Sequence, residues 1–317
     1  MVFSTHRLAV LHAGEAVVYD TEHWKLDTTL PLEQPRAVVR LADGSLLFVG
    51  GRASLRLAPQ KRHARRLPKL TLLPDSQLWP DRRWPNVVWL QTARGLFRYE
   101  LPPAHGPVKD QLLPTDQVEL TQYDGTAFVG LKDGSFLYAA NEGLSHFFPQ
   151  GRVTTSPKTN DPIWRLLATH RIDQAWAADR SGTLRLLQLG GRLPVVRTLA
   201  LDQPCFDIAS SDTHLGIIVL TQPPDGPRHW SLRVYDNTGK LALERGFPAE
   251  PEPDGRDWVG RLLSDRGLAL APTQPYVAAG GPTQVRVWSL KTGAELLAAP
   301  VTTKSDAVVA PTQGEDH

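Results

Sequence analysis

Apolar and polar residues alternate with a period of two in short stretches along the chain, and turn-forming residues interrupt each stretch. Residues 267–300 divide in this way into "GLALAPTQ", "PYVAAGG", "QVRVWSL" and "AELLAAP". Such alternation, bounded by turn residues, is typical of β-strands joined by tight turns. The pattern predicts four short antiparallel strands, which is the make-up of one β-propeller blade.

The same four-strand pattern recurs and predicts further blades. Together with the unit just described, these blades cover residues 36–69, 75–115, 117–150, 163–201, 205–247 and 266–300. Four of the third strands carry an arginine between two apolar residues, namely Arg56, Arg185, Arg233 and Arg286. Because one such unit cannot bury its apolar faces alone, repeated units are expected to pack side by side around a ring.

The remaining unit is split between the two ends of the chain. Residues 7–32 supply a second, third and fourth strand, and "DAVVAPTQ" at 306–313 supplies a first strand. We therefore expect the C-terminal strand to pair with the N-terminal blade and close the ring. Residues 1–317 are predicted to be a single all-β domain, a seven-bladed β-propeller with about 45 residues per blade. Rings of six or eight blades are the alternatives.

One dipeptide links these units to a known family. Trp288-Ser289 ends a third strand where WD-repeats usually place Trp-Asp, and Tyr19-Asp20 and Tyr235-Asp236 are similar variants. The Gly-His dipeptide of that family is absent from every unit. The chain therefore resembles a divergent WD-repeat protein, and the resemblance implies a seven-bladed propeller.

Composition narrows the class of protein. With 41% hydrophobic and 21% charged residues, the chain has enough apolar matter for a core. The net charge of +2 is too mild to indicate nucleic acid. Cys205 is the only cysteine, so no internal disulfide forms. No run of 18 apolar residues is present, so we expect no membrane insertion and a cytoplasmic location. The preference for Arg over Lys suggests a bacterial source.

The search for catalytic chemistry finds no phosphate-binding loop, zinc-protease motif or nucleophile elbow. We therefore expect no enzymatic activity, no cofactor and no metal. Cys205 is interpreted as a small buried hydrophobe, and Trp164, Trp176 and Trp288 as core residues. One alternative is a propeller enzyme or small-ligand binder that uses Asp207 and Arg165 in the central channel. Another is a nucleic-acid-associated propeller that uses the basic residues 61–66.

Loop lengths suggest where a partner binds. The first strand of each blade defines a top face, on which the connections between blades and the turns between strands two and three lie. The longest excursions, 151–162, 221–229 and 247–266, are placed there, and long loops are commonly functional. We therefore expect a non-catalytic scaffold that binds another protein or a multiprotein assembly through its top face.

Charged residues define the expected interface. The turns between strands two and three are assigned a basic residue in four successive blades, and the last long loop is acidic. The predicted partner-binding residues are Arg52, Arg94, Lys132, Arg180, Arg228, Glu250, Glu252, Asp254, Asp257 and Trp258. An alternative surface is the loop "WPDRRWP" on the bottom face, with Trp79, Arg82, Arg83 and Trp84.

Overall fold

A computed structural model gives the fold of most of the chain. It describes residues 1–12, 14–72, 76–81, 83–92, 95–102, 112–120, 123–140, 143–148, 153–155, 162–169, 171–179, 181–201, 203–221, 229–248, 267–280 and 284–300. Over these residues the regular structure is entirely β, and no helix has the length and hydropathy needed to cross a membrane.

Twenty-eight strands form seven four-stranded antiparallel sheets, so the predicted seven-bladed propeller is confirmed. Blades one to four consist of β1 (Val2–Phe3), β2 (Arg7–His12), β3 (Glu15–Asp20), β4 (Lys25–Pro31); β5 (Ala37–Arg40), β6 (Leu46–Val49), β7 (Ser54–Leu57), β8 (Arg65–Leu67); β9 (Gln77–Pro80), β10 (Val87–Thr92), β11 (Gly95–Glu100), β12 (Pro114–Val118); β13 (Tyr123–Gly130), β14 (Phe136–Ala140), β15 (Gly143–Phe147) and β16 (Val153–Thr155). Blades five to seven consist of β17 (Ile163–Ala168), β18 (Gln174–Asp179), β19 (Thr183–Gln188), β20 (Val195–Ala200); β21 (Cys205–Ser210), β22 (His214–Thr221), β23 (His229–Asp236), β24 (Leu241–Pro248); β25 (Gly267–Leu270), β26 (Tyr276–Gly280), β27 (Gln284–Ser289) and β28 (Glu295–Pro300).

The core lies in the gaps between neighbouring blades. Seven clusters of buried apolar side chains fill seven gaps, one between each pair of neighbours around the ring. Trp176 and Trp288 belong to two of these clusters, and Trp164 packs against one, as the sequence predicted. Burial of alternating strand residues on both faces of each sheet stabilises the ring, and each blade depends on its neighbours for this burial.

The closing blade differs from the sequence-based expectation. All four of its described strands come from residues 2–31, because Val2 pairs with Ala9 and Phe3 with Leu8. The segment 306–313, which was expected to be its inner strand, lies outside the described residues. Among the described residues, side chains join the first and last blades, since Phe3 packs in one cluster with residues of the last blade. A two-residue strand is too short for a periodic pattern to reveal.

The fourth blade corrects a second expectation. Residues 117 and 118 end β12, the outer strand of the third blade, and β13 is the inner strand of the fourth. The turn at 132–134 therefore joins strands one and two, like the turn at 42–44 of the second blade. Both turns end in Asp-Gly and are followed by Ser, and the φ of Gly44 and of Gly134 is 80°. This left-handed conformation favours glycine.

A β-bulge at the start of the fourth strand recurs in five blades. One residue lacks a partner on the third strand in each case, namely Asp27, Thr115, Val196, Ala242 and Leu296. Bulges bend a strand and re-aim its side chains. Near this bend, outer strands contact the next blade at three places. The Arg62 Nε lies 3.2 Å from Asp27, Arg197 donates to the Asn237 carbonyl, and Arg245 donates to the Gly293 carbonyl.

Candidate functional site

The inner strand of every blade runs from the top face to the bottom face. The turns between strands one and two, and between strands three and four, therefore lie at the bottom. The turns between strands two and three, and the connections between blades, lie at the top. This rule assigns every described turn to a face.

Only part of the predicted top-face set lies on the described chain. Arg52, between β6 and β7, lies on the top face with its side chain 81% exposed, and its Nε is 2.9 Å from Glu33 Oε2. Lys132 lies between β13 and β14, on the bottom face. The expectation that it lies on the top face with Arg52 is therefore wrong. The other members, Arg94, Arg180, Arg228, Glu250, Glu252, Asp254, Asp257 and Trp258, lie outside the described residues.

The alternative surface, "WPDRRWP", is a strand end followed by a turn. Trp79 belongs to strand β9 rather than to a loop, because it pairs with Trp89 across the sheet. Its ring centroid lies 5.8 Å from that of Phe128, and its side chain borders the central channel. Trp79 is thus a packing residue between blades, while Arg83 and Trp84 lie in the bottom turn that follows. Arg82 lies outside the described residues.

Asp81 holds this turn in place. Its side chain is buried, and its Oδ1 accepts hydrogen bonds from the backbone N–H groups of Arg83 at 2.8 Å and Trp84 at 3.3 Å. Its Oδ2 accepts from the Trp89 indole N–H at 3.1 Å. The guanidinium of Arg83 lies against Gly134 of the next blade, where a Cβ would collide with it. The turn therefore presents Trp84, which is 59% exposed, from a fixed backbone.

The exposed large hydrophobic side chains of the described chain are confined to one face. Seven large hydrophobic residues are exposed, and each lies in a turn between strands one and two or at the start of a fourth strand. They are Leu26, Trp84, Leu113, Ile172, Val195, Val196 and Leu241. Both locations are on the bottom face. Apolar groups that cluster on one side of a soluble domain commonly mark a binding surface.

Basic residues accompany these apolar groups. An exposed lysine or arginine lies in or beside the connection between strands three and four in five described blades, namely Lys25, Lys61, Arg192, Lys240 and Lys291. By sequence, Lys109 and Arg152 fall in the corresponding connections of the other two blades, outside the described residues. In five of the seven blades, the outer rim of the bottom face therefore carries an exposed basic residue.

Several acidic residues of the bottom turns are hydrogen-bonded within the protein, while Glu22 and Asp212 are exposed. Asp43 Oδ2 lies 2.7 Å from the buried Arg56, and Asp43 Oδ1 accepts from the N–H and hydroxyl of Ser45. Burial alone would raise the pKa of Asp43, but the hydrogen bonds from Ser45 and Arg56 lower it. Asp236 caps its own turn, and the hydrogen bond from Thr238 lowers its pKa. These carboxylates therefore stabilise their turns.

A cavity of about 770 Å³ occupies the central channel. Every inner strand contributes to its wall, and one residue per blade is Phe3, Val39, Trp79, Val129, Leu167, Ile208 and Leu270. Arg40 and Lys132 lie at its bottom end. The wall is mainly apolar, which suits side-chain packing or a small ligand with few polar groups.

Arg165 and Asp207, proposed from the sequence as channel residues, are brought together. Arg165 Nη2 lies 3.5 Å from Asp207 Oδ1, which also accepts from the Ile208 N–H at 2.9 Å. Asp207 Oδ2 accepts from the Leu268 N–H at 3.1 Å. Burial raises the pKa of Asp207, and Arg165 opposes this shift. The Arg165–Asp207 pair and the hydrogen bond to Leu268 connect the inner strands of blades five, six and seven. These contacts therefore have a structural role.

Two further chemical candidates are accounted for by local structure. Cys205 is buried, and burial raises the pKa of its thiol, which disfavours a reactive thiolate. On the part of the chain that the structure describes, one group of three possible metal ligands occurs, Asp20, Glu22 and His23. It is exposed, and the Asp20 carboxylate already bonds the His23 ring at 2.8 Å and the Glu22 N–H at 2.9 Å.

Solved structures share this architecture. A Kluyveromyces lactis Hsv2 variant with loop 6CD replaced by a Gly-Ser linker matches at 12% identity and a TM-score of 0.59, over 95% of each chain. The β-propeller domain of Myceliophteria thermophila Cps50 (Swd1) matches at 14% identity and a TM-score of 0.60, over 91% of this chain and 97% of that one. The fold is that of the WD40 propellers.

Saccharomyces cerevisiae Sqt1 has the same fold, with 11% identity and a TM-score of 0.57 over 94% of this chain and 87% of that one. No protein-family model and no curated protein matches the sequence. At such low identity the likeness establishes the fold alone, and none of it supports the bacterial source inferred from composition.

Sequence reasoning missed the grouping of apolar residues on the bottom face. The sequence holds a signal for this grouping, because these residues lie in or directly after a turn. The position of that turn within its blade determines the face on which it lies. Leu26 and Leu241 directly follow a lysine that ends such a turn, and Val195 and Val196 follow Pro194. The bulge at Val196 leaves no mark in the sequence.

Proposed function

We propose that the chain is a non-catalytic scaffold that binds a protein partner, and that the partner docks on the bottom face. The observation that carries this proposal is the placement of all seven exposed large hydrophobic residues of the described chain on that face. Trp84 is the anchor, since exposed tryptophans on a fixed backbone are common hot spots. Arg83 lies beside it in the same turn, Lys132 lies in the corresponding turn of blade four, and Ile172 lies in that of blade five.

The top-face interface expected from the sequence remains a separate prediction. Its support is the length of the loops there and the exposed Arg52. Its weakness is that Lys132 lies on the other face. A cytoplasmic location and the absence of cofactors also remain predictions from composition and motifs.

The test begins with affinity purification of the chain from its source cells and identification of the bound protein by mass spectrometry. The purified partner is then titrated against the wild type, against Trp84→Ala/Ile172→Ala, and against the top-face control Arg36→Glu/Arg52→Glu. We expect the first variant to weaken binding by about 2 kcal/mol or more and the control by less than about 0.5 kcal/mol. Loss of binding in the control alone would contradict the bottom-face proposal and support the top-face loops.

A further inference from the structure

The bottom rim of blades five to seven carries a strip of alternating basic and apolar side chains. Its members are Arg192, Val195, Val196, Lys240, Leu241 and Lys291. Val195 is 49% exposed, Val196 51% and Leu241 42%. We refer to these six residues as the basic–apolar strip.

Two contacts between blades make the strip continuous. Arg197 Nη1 of β20 donates to the Asn237 carbonyl at 2.7 Å, which brings the turn before β24 against the outer strand of blade five. Arg245 Nη2 of β24 donates to the Gly293 carbonyl at 2.7 Å, which brings the turn before β28 against the outer strand of blade six. The strip is therefore one surface across three blades.

The cations of the strip have no ion-pair partner among the described residues. Two acids on the outer strands of these blades are bound elsewhere: Glu244 Oε1 lies 2.9 Å from Arg233, and Glu295 Oε2 lies 3.5 Å from Arg286. The exposed Asp212 lies beside the strip, where its carbonyl accepts from the Asn237 side chain. Asp236 accepts from the backbone N–H groups of Thr238 at 2.8 Å and Lys240 at 3.0 Å. The strip therefore presents three positive charges between exposed aliphatic groups.

This chemistry selects one kind of partner. Positive charges steer and hold carboxylates, and exposed valine and leucine side chains gain by being covered with apolar groups. The strip contains no aromatic ring on which a nucleobase would stack, so nucleic acid fits less well. We propose that the basic–apolar strip docks an acidic segment of the partner protein in which carboxylates alternate with apolar side chains. The proposal rests on the bottom face being the interface, as proposed above.

The experiment uses labelled peptides as probes of this surface. One peptide of 20 residues alternates Glu with Leu, a second has the same net charge but Ser in place of Leu, and a 20-nucleotide single-stranded DNA is the third probe. Fluorescence anisotropy compares the wild type with Arg192→Glu/Lys240→Glu/Lys291→Glu. The matched control is Arg36→Glu/Arg52→Glu/Lys69→Glu, which makes the same charge change at exposed top-face residues.

We expect the wild type to bind the Glu-Leu peptide more tightly than the Glu-Ser peptide. The strip variant should lose at least about tenfold in affinity, and the control less than about twofold, because rim charges act mainly on a partner that they face. Equal losses in both variants would show a response to net charge alone and overturn the proposal. Strip-dependent binding of DNA at least as tight as that of the Glu-Leu peptide would assign the strip to nucleic acid instead.

A last comparison separates this proposal from the one on which it rests. If the natural partner is lost in Trp84→Ala/Ile172→Ala but binds the strip variant normally, the bottom face is the interface and the acidic partner is wrong. If neither variant affects the natural partner, the bottom-face proposal itself is wrong.

Discussion

The top and bottom faces of this propeller are built from the same kinds of turn but present different surfaces. On the top face the turn at 50–53 is compact, since a Cβ on Gly50 would lie 2.6 Å from the Glu33 carbonyl oxygen, and its cation Arg52 pairs with Glu33. On the bottom face Trp84 and Ile172 are more than half exposed. Exposed apolar area costs free energy in water, so the restriction of the exposed large hydrophobic residues to one described face supports the proposal that a partner covers it.

A buried aspartate on each face shows that the difference lies in what a turn presents. Asp179 on the top face accepts from the Thr183 N–H at 2.9 Å and pairs with Arg185 at 2.6 Å. Asp81 on the bottom face makes comparable bonds to backbone N–H groups and to Trp89. Both residues stabilise their turns, but only the turn of Asp81 presents a large aromatic side chain.

The largest loss of stability is expected from a substitution that weakens the closure of the ring, which carries both faces. Phe3 is 2% exposed and packs between the first and last blades, so Phe3→Ala should lower the free energy of unfolding by about 3–5 kcal/mol. Urea unfolding measures this loss, with Leu26→Ala, an exposed residue of the same blade, as the control. A small loss for Phe3→Ala, together with a larger one on removing residues 305–317, would restore the closure predicted from the sequence.

The next effect separates stability from binding. Asp81→Ala and Asp179→Ala each leave buried donors without an acceptor, so each should lower the free energy of unfolding by about 2–4 kcal/mol. Only Asp81→Ala should also weaken partner binding, since it releases the turn that carries Trp84. Circular dichroism and titration of the partner at a temperature where both variants are folded distinguish the two. Equal losses of binding would mean that the faces are not independent.

The smallest effect concerns pH and acts on residues near both faces. Burial lowers the pKa of His12, near the top, and of His146, whose Nε2 lies 2.8 Å from Ser135 Oγ. A histidine whose folded pKa lies below its unfolded value binds fewer protons in the folded state. Stability is then fully present above the unfolded pKa, near 6.5, and falls as the pH drops below it.

Thermal melts between pH 8 and pH 5 measure this dependence. We expect the Tm to fall with the pH, and His146→Leu to reduce the slope; Asp43 and Asp179, with lowered pKa, add a further loss only at more acid pH. An unchanged slope in a His12→Leu/His146→Leu variant would show that other groups carry the dependence.

The repeat could be predicted from the sequence because period-two patterning and turn residues report directly on strands. The third-strand arginines were also visible, and Arg56, Arg185, Arg233 and Arg286 each pair with an acid in the structure. The burial of Arg56 could not be predicted from the sequence. This residue is 4% exposed, and its guanidinium contacts Asn86 and Pro102 of the next blade. Contacts between blades leave no local pattern.

The candidate site was harder to predict for the same reason. A one-strand error in the fourth blade moved Lys132 to the wrong face, since the face of a turn depends on counting strands correctly. Trp79 and Trp84 looked alike in "WPDRRWP", but pairing with Trp89 places the first in a strand and leaves the second exposed. Exposure is set by tertiary packing, which a single sequence does not report.

Hydroxyl-radical footprinting of the chain, alone and saturated with its purified partner, tests the central claim most directly. Oxidation of Trp84, Ile172 and Leu241 on the bottom face should fall when the partner binds. The top-face segments at 33–36 and 50–53 should be oxidised equally in both samples. Protection of the top-face segments, with the oxidation of Trp84 and Ile172 unchanged, would contradict the bottom-face proposal.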